Sequence, residues 1–294
     1  MKFKRYISPQ FVSALNELYK SEAGRSWRAL LGDPDIFLAI RDNAIKAFYR
    51  GCTLATLRLD AGEVRARTHY RYLLRPSSRS PYIDSRFGRF QPSWQYDGVV
   101  EDVSDTDKLK RAARPYSGAN KKLAGRIAPH NANIFDTEIA LTTRAETDDR
   151  SSRRLDLAAL TGDGGACELV FYCVRKLASP DLEESGGKFP VVEQLAKLER
   201  RLQKHAGDLT SAFAQEATIL AALDRISPRR KEAASKIIAA GAAFRISTKP
   251  ILIVGGTEFG QKGKARAKRR LVELKQAIGE ARLIWAENAG GFRN

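Results

Sequence analysis

Apolar residues in the first quarter of the chain fall into short alternating runs. Such a period of two predicts strands with one face buried. From Ile36 to Leu74 the runs form an expected antiparallel meander of Ile36–Ile40, Ala44–Tyr49, Cys52–Leu59 and Val64–Leu74. The turns between them, Asp42-Asn43, Arg50-Gly51 and Asp60-Ala61-Gly62, are built from residues that supply positive φ cheaply. A helix is predicted ahead of it over Pro9–Tyr19, with Ser8 as N-cap, Pro9 at the first helical position and Phe11, Ala14, Leu15 and Leu18 as its stripe. After it, residues 75–98 contain Pro76, Pro81 and Pro92 and read as a long connection. Its aromatics (Tyr82, Phe87, Phe90, Trp94, Tyr96) suit a loop pinned to its own core. Interleaved with Arg75, Arg79, Arg86 and Arg89, they also suit a grip on single strands.

The pattern then changes. Ser104–Ala113 reads as a helix capped by Ser104. Three strand-length apolar runs follow: Ile134–Leu141, Leu155–Leu160 and Leu169–Val174. Gly162, Gly164 and Gly165 mark the turn between the second and third. A 3.6-residue stripe runs from Pro190 to Leu223, with Gly207 placed to bend or divide it. Ser227-Pro228 opens another helix ending near Gly241. Pro250–Val254 is a buried strand, and a helix over Lys264–Ile278 closes the pattern.

The 294 residues, 43% hydrophobic and 29% charged, suffice for one large or two ordinary globular domains. The expected division is an N-terminal helix-and-meander module over 1–100 and a second domain over 101–294. No run nears the ~18 apolar residues of a membrane helix. The start, MKFKRYISPQF, has no apolar stretch after its basic residues, so no secretory signal is expected. Cys52, Cys167 and Cys173 are odd in number and match no ligand spacing, which suits a reducing cytoplasm. His69, His130 and His205 are likewise unassigned.

Charge changes the picture most. Lysine and arginine number 51 against 34 acidic residues, a net +17 that attracts polyanions. Lys108–Arg126 holds seven basic residues and no acidic one, including Lys108, Lys110, Arg111, Lys121 and Lys122. Lys262, Lys264, Arg266, Lys268, Arg269 and Arg270 crowd the opening of the last helix, where the helix dipole disfavours cations. A bound polyanion would relieve that conflict. Nucleic acid, DNA or RNA, is the expected partner of both runs, and a protein partner remains open.

Acidic residues inside the apolar runs, Asp136 and Glu138 in the first and Asp156 in the second, call for a partner, because a buried unpaired charge is costly. Their placement resembles the PD-(D/E)XK nuclease superfamily. That core carries an acid on a preceding element, an Asp on the next strand and Glu-x-Lys at the end of a third, followed by a helix and a further strand. Glu138 matches the first acid and Asp156 the strand Asp. Cys173-Val174-Arg175 stands where the family has Glu-x-Lys. Gln194 matches the first residue of a Gln-x-x-x-Tyr helix motif, with Leu198 in place of Tyr. The resemblance covers roughly residues 105 to 280. It implies an α/β fold: a restriction-endonuclease-like mixed sheet flanked by helices, preceded here by the meander. It further implies a magnesium site at Glu138 and Asp156, with Arg175 and Gln194 completing a catalytic set.

Two replacements cut against cleavage. The soft sulfur of Cys173 is a poor magnesium ligand, and Arg175 cannot act as a base. The expected function is therefore a nucleic-acid-binding protein on a diverged nuclease fold with weak or lost cleavage. The alternatives are an active magnesium-dependent nuclease with a relocated ligand, and a non-catalytic scaffold. Cys173 itself is expected to be a buried core residue, not a nucleophile.

Overall fold

The structure, a computed structural model, describes residues 3–73, 82–86, 89–90, 103–141, 154–162, 165–256 and 261–286, with the backbone alone for 82–86, 89–90, 130 and 261–268. The chain is mixed α/β and divides into two compact units. The first comprises residues 4–117 and 212–239. The second comprises 118–211 and 240–294 with the first three residues. The boundary expected at residues 100 and 101 lies outside the described residues. Among the described residues no helix is long and apolar enough to cross a membrane.

The first unit opens with α1 (Pro9–Lys20), whose first turn is closed by Ser8: its Oγ accepts the Phe11 N–H at 3.2 Å. α2 (Arg25–Gly32) follows; it has only Trp27 and Leu30 as large buried apolar anchors, too few to show as a stripe in the sequence. The strands β1 (Phe37–Ile40), β2 (Ile45–Tyr49), β3 (Cys52–Asp60) and β4 (Glu63–His69) form the expected antiparallel meander. Its turn residues take positive φ as their types favour: Asp42 and Asn43, Arg50 and Gly51, Ala61 and Gly62. β4 ends at His69, five residues short of the expected Leu74, because a 3₁₀ turn over Tyr70–Leu73 takes over.

Two further antiparallel strands, β5 (Tyr82–Arg86) and β6 (Arg89–Phe90), extend this sheet. They fall where a continuous connection was expected, so part of that stretch is a hairpin. The rest of 75–98 lies outside the described residues. α3 (Thr106–Ala113) is capped by Asp105, whose carboxylate accepts the Lys108 N–H at 3.1 Å. Ser104, the expected cap, is one residue too early to reach that group.

Charge is also buried in this unit. Glu216 belongs to α6 (Ala206–Ala222) and is fully buried between Arg5 and Arg230, the latter on α7 (Pro228–Ala240). Arg5 Nε lies 3.4 Å and Arg230 Nη2 3.6 Å from its carboxylate oxygens. Arg230 also donates to the Leu38 carbonyl of β1 and lies 4.7 Å from the Phe37 ring centroid.

The second unit begins with α4 (Ala119–His130), which packs on β7 (Ile134–Ala140), β8 (Arg154–Thr161) and β9 (Glu168–Lys176). These three strands realise the three expected apolar runs and pair antiparallel in sequence order. The chain then leaves the sheet through α5 (Pro190–Lys204), α6 and α7. The expected stripe breaks at His205, not at Gly207, which sits inside α6. β11 (Ile251–Gly255) returns parallel to β9, and α8 (Gln261–Ile278) carries the chain on to β12 (Leu283–Ala286), parallel to β11. A two-residue strand, β10 (Arg245–Ile246), pairs with the start of β9. The order across the sheet is β12-β11-β9-β8-β7. β9 is buried along nearly its whole length, as a strand between neighbours on both sides must be.

The buried triad of the first unit gives a stability test. Glu216→Ala leaves two guanidinium groups in the core without their carboxylate and should cost about 3–5 kcal/mol of stability, measured by urea unfolding. A loss below ~1 kcal/mol would mean that the two arginines do not depend on Glu216.

Candidate functional site

β7, β8 and β9 bring the sequence-predicted acids together. The register pairs Thr137 with Leu157 and Ile139 with Leu155, which sets Glu138 opposite Asp156. Leu157 pairs with Tyr172, so Asp156, one residue on, faces Cys173. Arg175 lies two residues further along β9, on the side shared with Cys173 because strand side chains alternate.

Arg175 is buried, and its guanidinium is almost fully engaged. Nη1 donates to Asp156 at 3.2 Å and to the Val174 carbonyl at 2.8 Å. Nε donates to Asp181 at 3.0 Å, and Nη2 donates to the Gln194 side-chain oxygen at 2.7 Å. Four of the five N–H groups an arginine offers thus have partners on the same unit. Asp156 in turn accepts the Val174 backbone N–H at 2.7 Å. Of the expected set, Asp156, Arg175 and Gln194 are thus joined, and Asp181, from the 3₁₀ turn Pro180–Leu182, joins them, while Glu138 lies opposite Asp156. Asp181 was not singled out because it lies in a polar connection with no periodicity.

Glu138 is held separately. Its buried carboxylate takes Lys121 of α4 at 3.3 Å and Arg154 of β8, both cations about half exposed. Its φ is +52°, in the left-handed region, and the β7 register slips by one residue between Ile134 and Asp136. A non-glycine residue in that region costs about 1–2 kcal/mol, which the ion pairs and the surrounding sheet must offset. Lys121 was read from the sequence as a phosphate contact; the structure places it on Glu138. Arg154 went unread because it precedes the apolar run. Asn120 also acts here: its side-chain oxygen accepts the Lys176 N–H at 2.9 Å, fixing α4 against the end of β9.

The electrostatics follow from burial. Desolvation pushes the Asp156 carboxyl above its ordinary 3.8, with Arg175 and the Val174 N–H pulling it back. Burial pushes the Cys173 thiol up to about 12. It is therefore neutral at physiological pH and serves neither as nucleophile nor as anionic ligand. All three cysteines are buried free thiols.

The donor set can be tested against a divalent cation. Magnesium asks for several hard, uncommitted oxygens. Asp156 and Asp181 already share Arg175, Glu138 holds two cations, and Cys173 offers only a neutral sulfur. Among the described residues no cluster of three or more His, Cys, Asp or Glu could hold a metal ion. As arranged, these residues do not fit a resident magnesium.

No protein-family model, curated protein or solved structure matches the chain.

The basic runs separate into engaged and open cations. Lys110 is ringed by Asp33 at 2.7 Å, Asp107 at 3.2 Å and Asp35 at 3.4 Å, and these carboxylates raise its pKa against desolvation. Lys108 pairs with its own helix cap, Asp105, at the surface. Arg111 is exposed and Lys122 half-buried. Arg270 donates to the Leu177 carbonyl at 3.1 Å and to Glu183 at 3.3 Å, while Arg269 is exposed. Lys262, Lys264, Arg266 and Lys268 lie in α8, three residues longer at its start than expected, and their side chains are outside the described residues.

Asp156 gives a pH test. Between 3.8 and its raised folded value, the folded state holds a proton that the unfolded state has lost. Its contribution to stability therefore falls as pH rises through that window. Urea unfolding of the natural chain and Asp156→Asn, from about pH 4 to about pH 7, should show the natural chain's advantage shrinking with pH. An advantage that grows would mean Arg175 attraction outweighs desolvation. Separately, Arg175→Leu should destabilise by about 3–5 kcal/mol at pH 7, since it strands Asp156 in a part-buried site.

Proposed function

We propose that this chain is a nucleic-acid-binding protein built on a diverged restriction-endonuclease-like core, in which an internal arginine has closed the cleavage centre. The observation that carries the reading is the engagement of Arg175 by Asp156, Asp181, Gln194 and a backbone carbonyl. In the nuclease pattern the strand Asp and the next-strand carboxylate face a metal. Here a permanent cation lies against that Asp, and Cys173 holds the carboxylate's position.

The core reading is supported by the order of elements. A helix, three antiparallel strands with an acid on each of the first two, a crossover through helices and a parallel fourth strand follow one another as α4, β7, β8, β9, α5–α7 and β11. Gln194 on the crossover helix α5 reaches the same cluster. Nucleic-acid contact is supported by the net +17 and by open cations such as Arg111 and Arg269. Arg175 itself has too few free donors to clamp a phosphate, so backbone contact falls to the surface cations.

Asp181 is what favours the runner-up, an active nuclease. It is a second carboxylate on the same guanidinium as Asp156 and is the relocated ligand such an enzyme would need.

Metal-dependent digestion of plasmid and single-stranded substrates separates the two. The natural chain should bind polyanions with affinity falling steeply as salt rises, and should cleave neither substrate with magnesium or manganese. Robust cleavage abolished by Asp181→Ala and by Asp156→Ala would establish the active reading. Absence of binding at low salt would remove the nucleic-acid reading and leave the scaffold. Cys173→Glu with Arg175→Lys returns a hard ligand and a titratable amine to the end of β9. That double variant should gain a magnesium-dependent rise in melting temperature that the natural chain lacks.

A further inference from the structure

In the first unit, the chain just beyond β4 gathers rings around an arginine. The imidazole of His69 stacks on Tyr70 with centroids 4.9 Å apart, and Tyr72 tilts against Tyr116 at 6.0 Å. The Arg71 guanidinium lies 5.8 Å from the Tyr70 ring centroid and 5.4 Å from that of Tyr116. Tyr116 is 50% exposed, among the most exposed large rings described.

Its position is nevertheless fixed. Tyr116 ends the 3₁₀ turn Arg114–Tyr116 that extends α3, and α3 packs against the turn carrying Tyr70, Arg71 and Tyr72. The next residue, Ser117, is buried and donates its hydroxyl to the Arg50 carbonyl. A half-exposed ring on an anchored turn loses little freedom when something stacks on it.

Cations predominate around the rings, although Asp105 at the start of α3 acts electrostatically on Arg111. Arg71, Arg111 and Arg114 are exposed, and among the described residues none of them pairs with a carboxylate. An acidic peptide would use the arginines but leave the ring faces idle. A duplex keeps its bases stacked on one another and offers the rings nothing. A single strand offers both phosphates and free base faces.

We infer that the surface formed by Tyr116, Tyr72, Tyr70 and Arg71, with Arg111 and Arg114 beside it, is a stacking platform for single-stranded nucleic acid. The inference rests on the nucleic-acid reading above and narrows it: bases stack on the exposed ring of Tyr116, and the arginines track the flanking phosphates. The basic runs alone would not distinguish single strands from duplex.

Fluorescence anisotropy with a labelled oligothymidylate of about 12 nucleotides, and with a duplex of equal length, tests it. Tyr116→Ala should weaken binding of the single strand about tenfold while leaving duplex affinity unchanged. Tyr116→Phe, which keeps the ring and loses the hydroxyl, should bind like the natural chain. Both variants should melt like the natural chain, because Tyr116 is exposed. Unchanged single-strand binding by Tyr116→Ala, or an equal loss on both ligands, overturns the platform. In either case salt-dependent binding by the natural chain keeps the broader nucleic-acid reading. Failure of the natural chain to bind either ligand removes both.

Discussion

Arg175 brings a charge that does not titrate under physiological conditions into the sheet of the second unit, and that sheet is arranged around it. A guanidinium buried at a strand end needs acceptors in the plane of its fork. β8 supplies Asp156, the turn after β9 supplies Asp181, and α5 supplies Gln194, so one side chain joins three elements that are distant in sequence. The same bonds leave the cluster with few uncommitted groups. Carboxylates committed to a fixed cation have little to offer a divalent one, and a guanidinium committed to carboxylates has little to offer a phosphate.

The strands that carry this cluster were legible because their apolar runs are uninterrupted and their acids stand out against them. Glu138, Asp156 and Gln194 were identified by position, and the fold places all three beside the cations that satisfy them. Less visible were groups whose meaning comes only from tertiary neighbours. Lys121 sits in a run of basic residues that reads as a surface feature, yet its amine reaches a buried acid. α4 was hidden by the same run: Leu123 and Ile127 give its buried stripe, but the lysines around them dominate the local pattern. β10 has two residues, below the length at which alternation can be counted, and β12 has only four. Cap and break positions moved by a residue or two, from Ser104 to Asp105 and from Gly207 to His205, as helix ends do when several polar residues compete.

Net charge also reads differently once the partners are known. Lys110 and Arg270 are drawn into contacts with carboxylates and carbonyls of their own unit, and Lys121 and Arg154 hold a buried acid. Among the described residues, the exposed cations, such as Arg111, Arg269 and Lys204, are a smaller set than the total suggests. Composition gives the charge only as a total; the division into internal and external cations is a property of the fold.

The buried triad of the first unit bears on how the protein is made. Arg5 is synthesised more than two hundred positions ahead of Glu216 and Arg230. At about 5–20 residues per second, the ribosome leaves Arg5 without its carboxylate for roughly 10–40 s. Through that interval the meander can pair its neighbouring strands, but the unit cannot close its core. Completion of the N-terminal half thus waits on a segment delivered after β7, β8 and β9 have emerged, and the two units mature in an interleaved order.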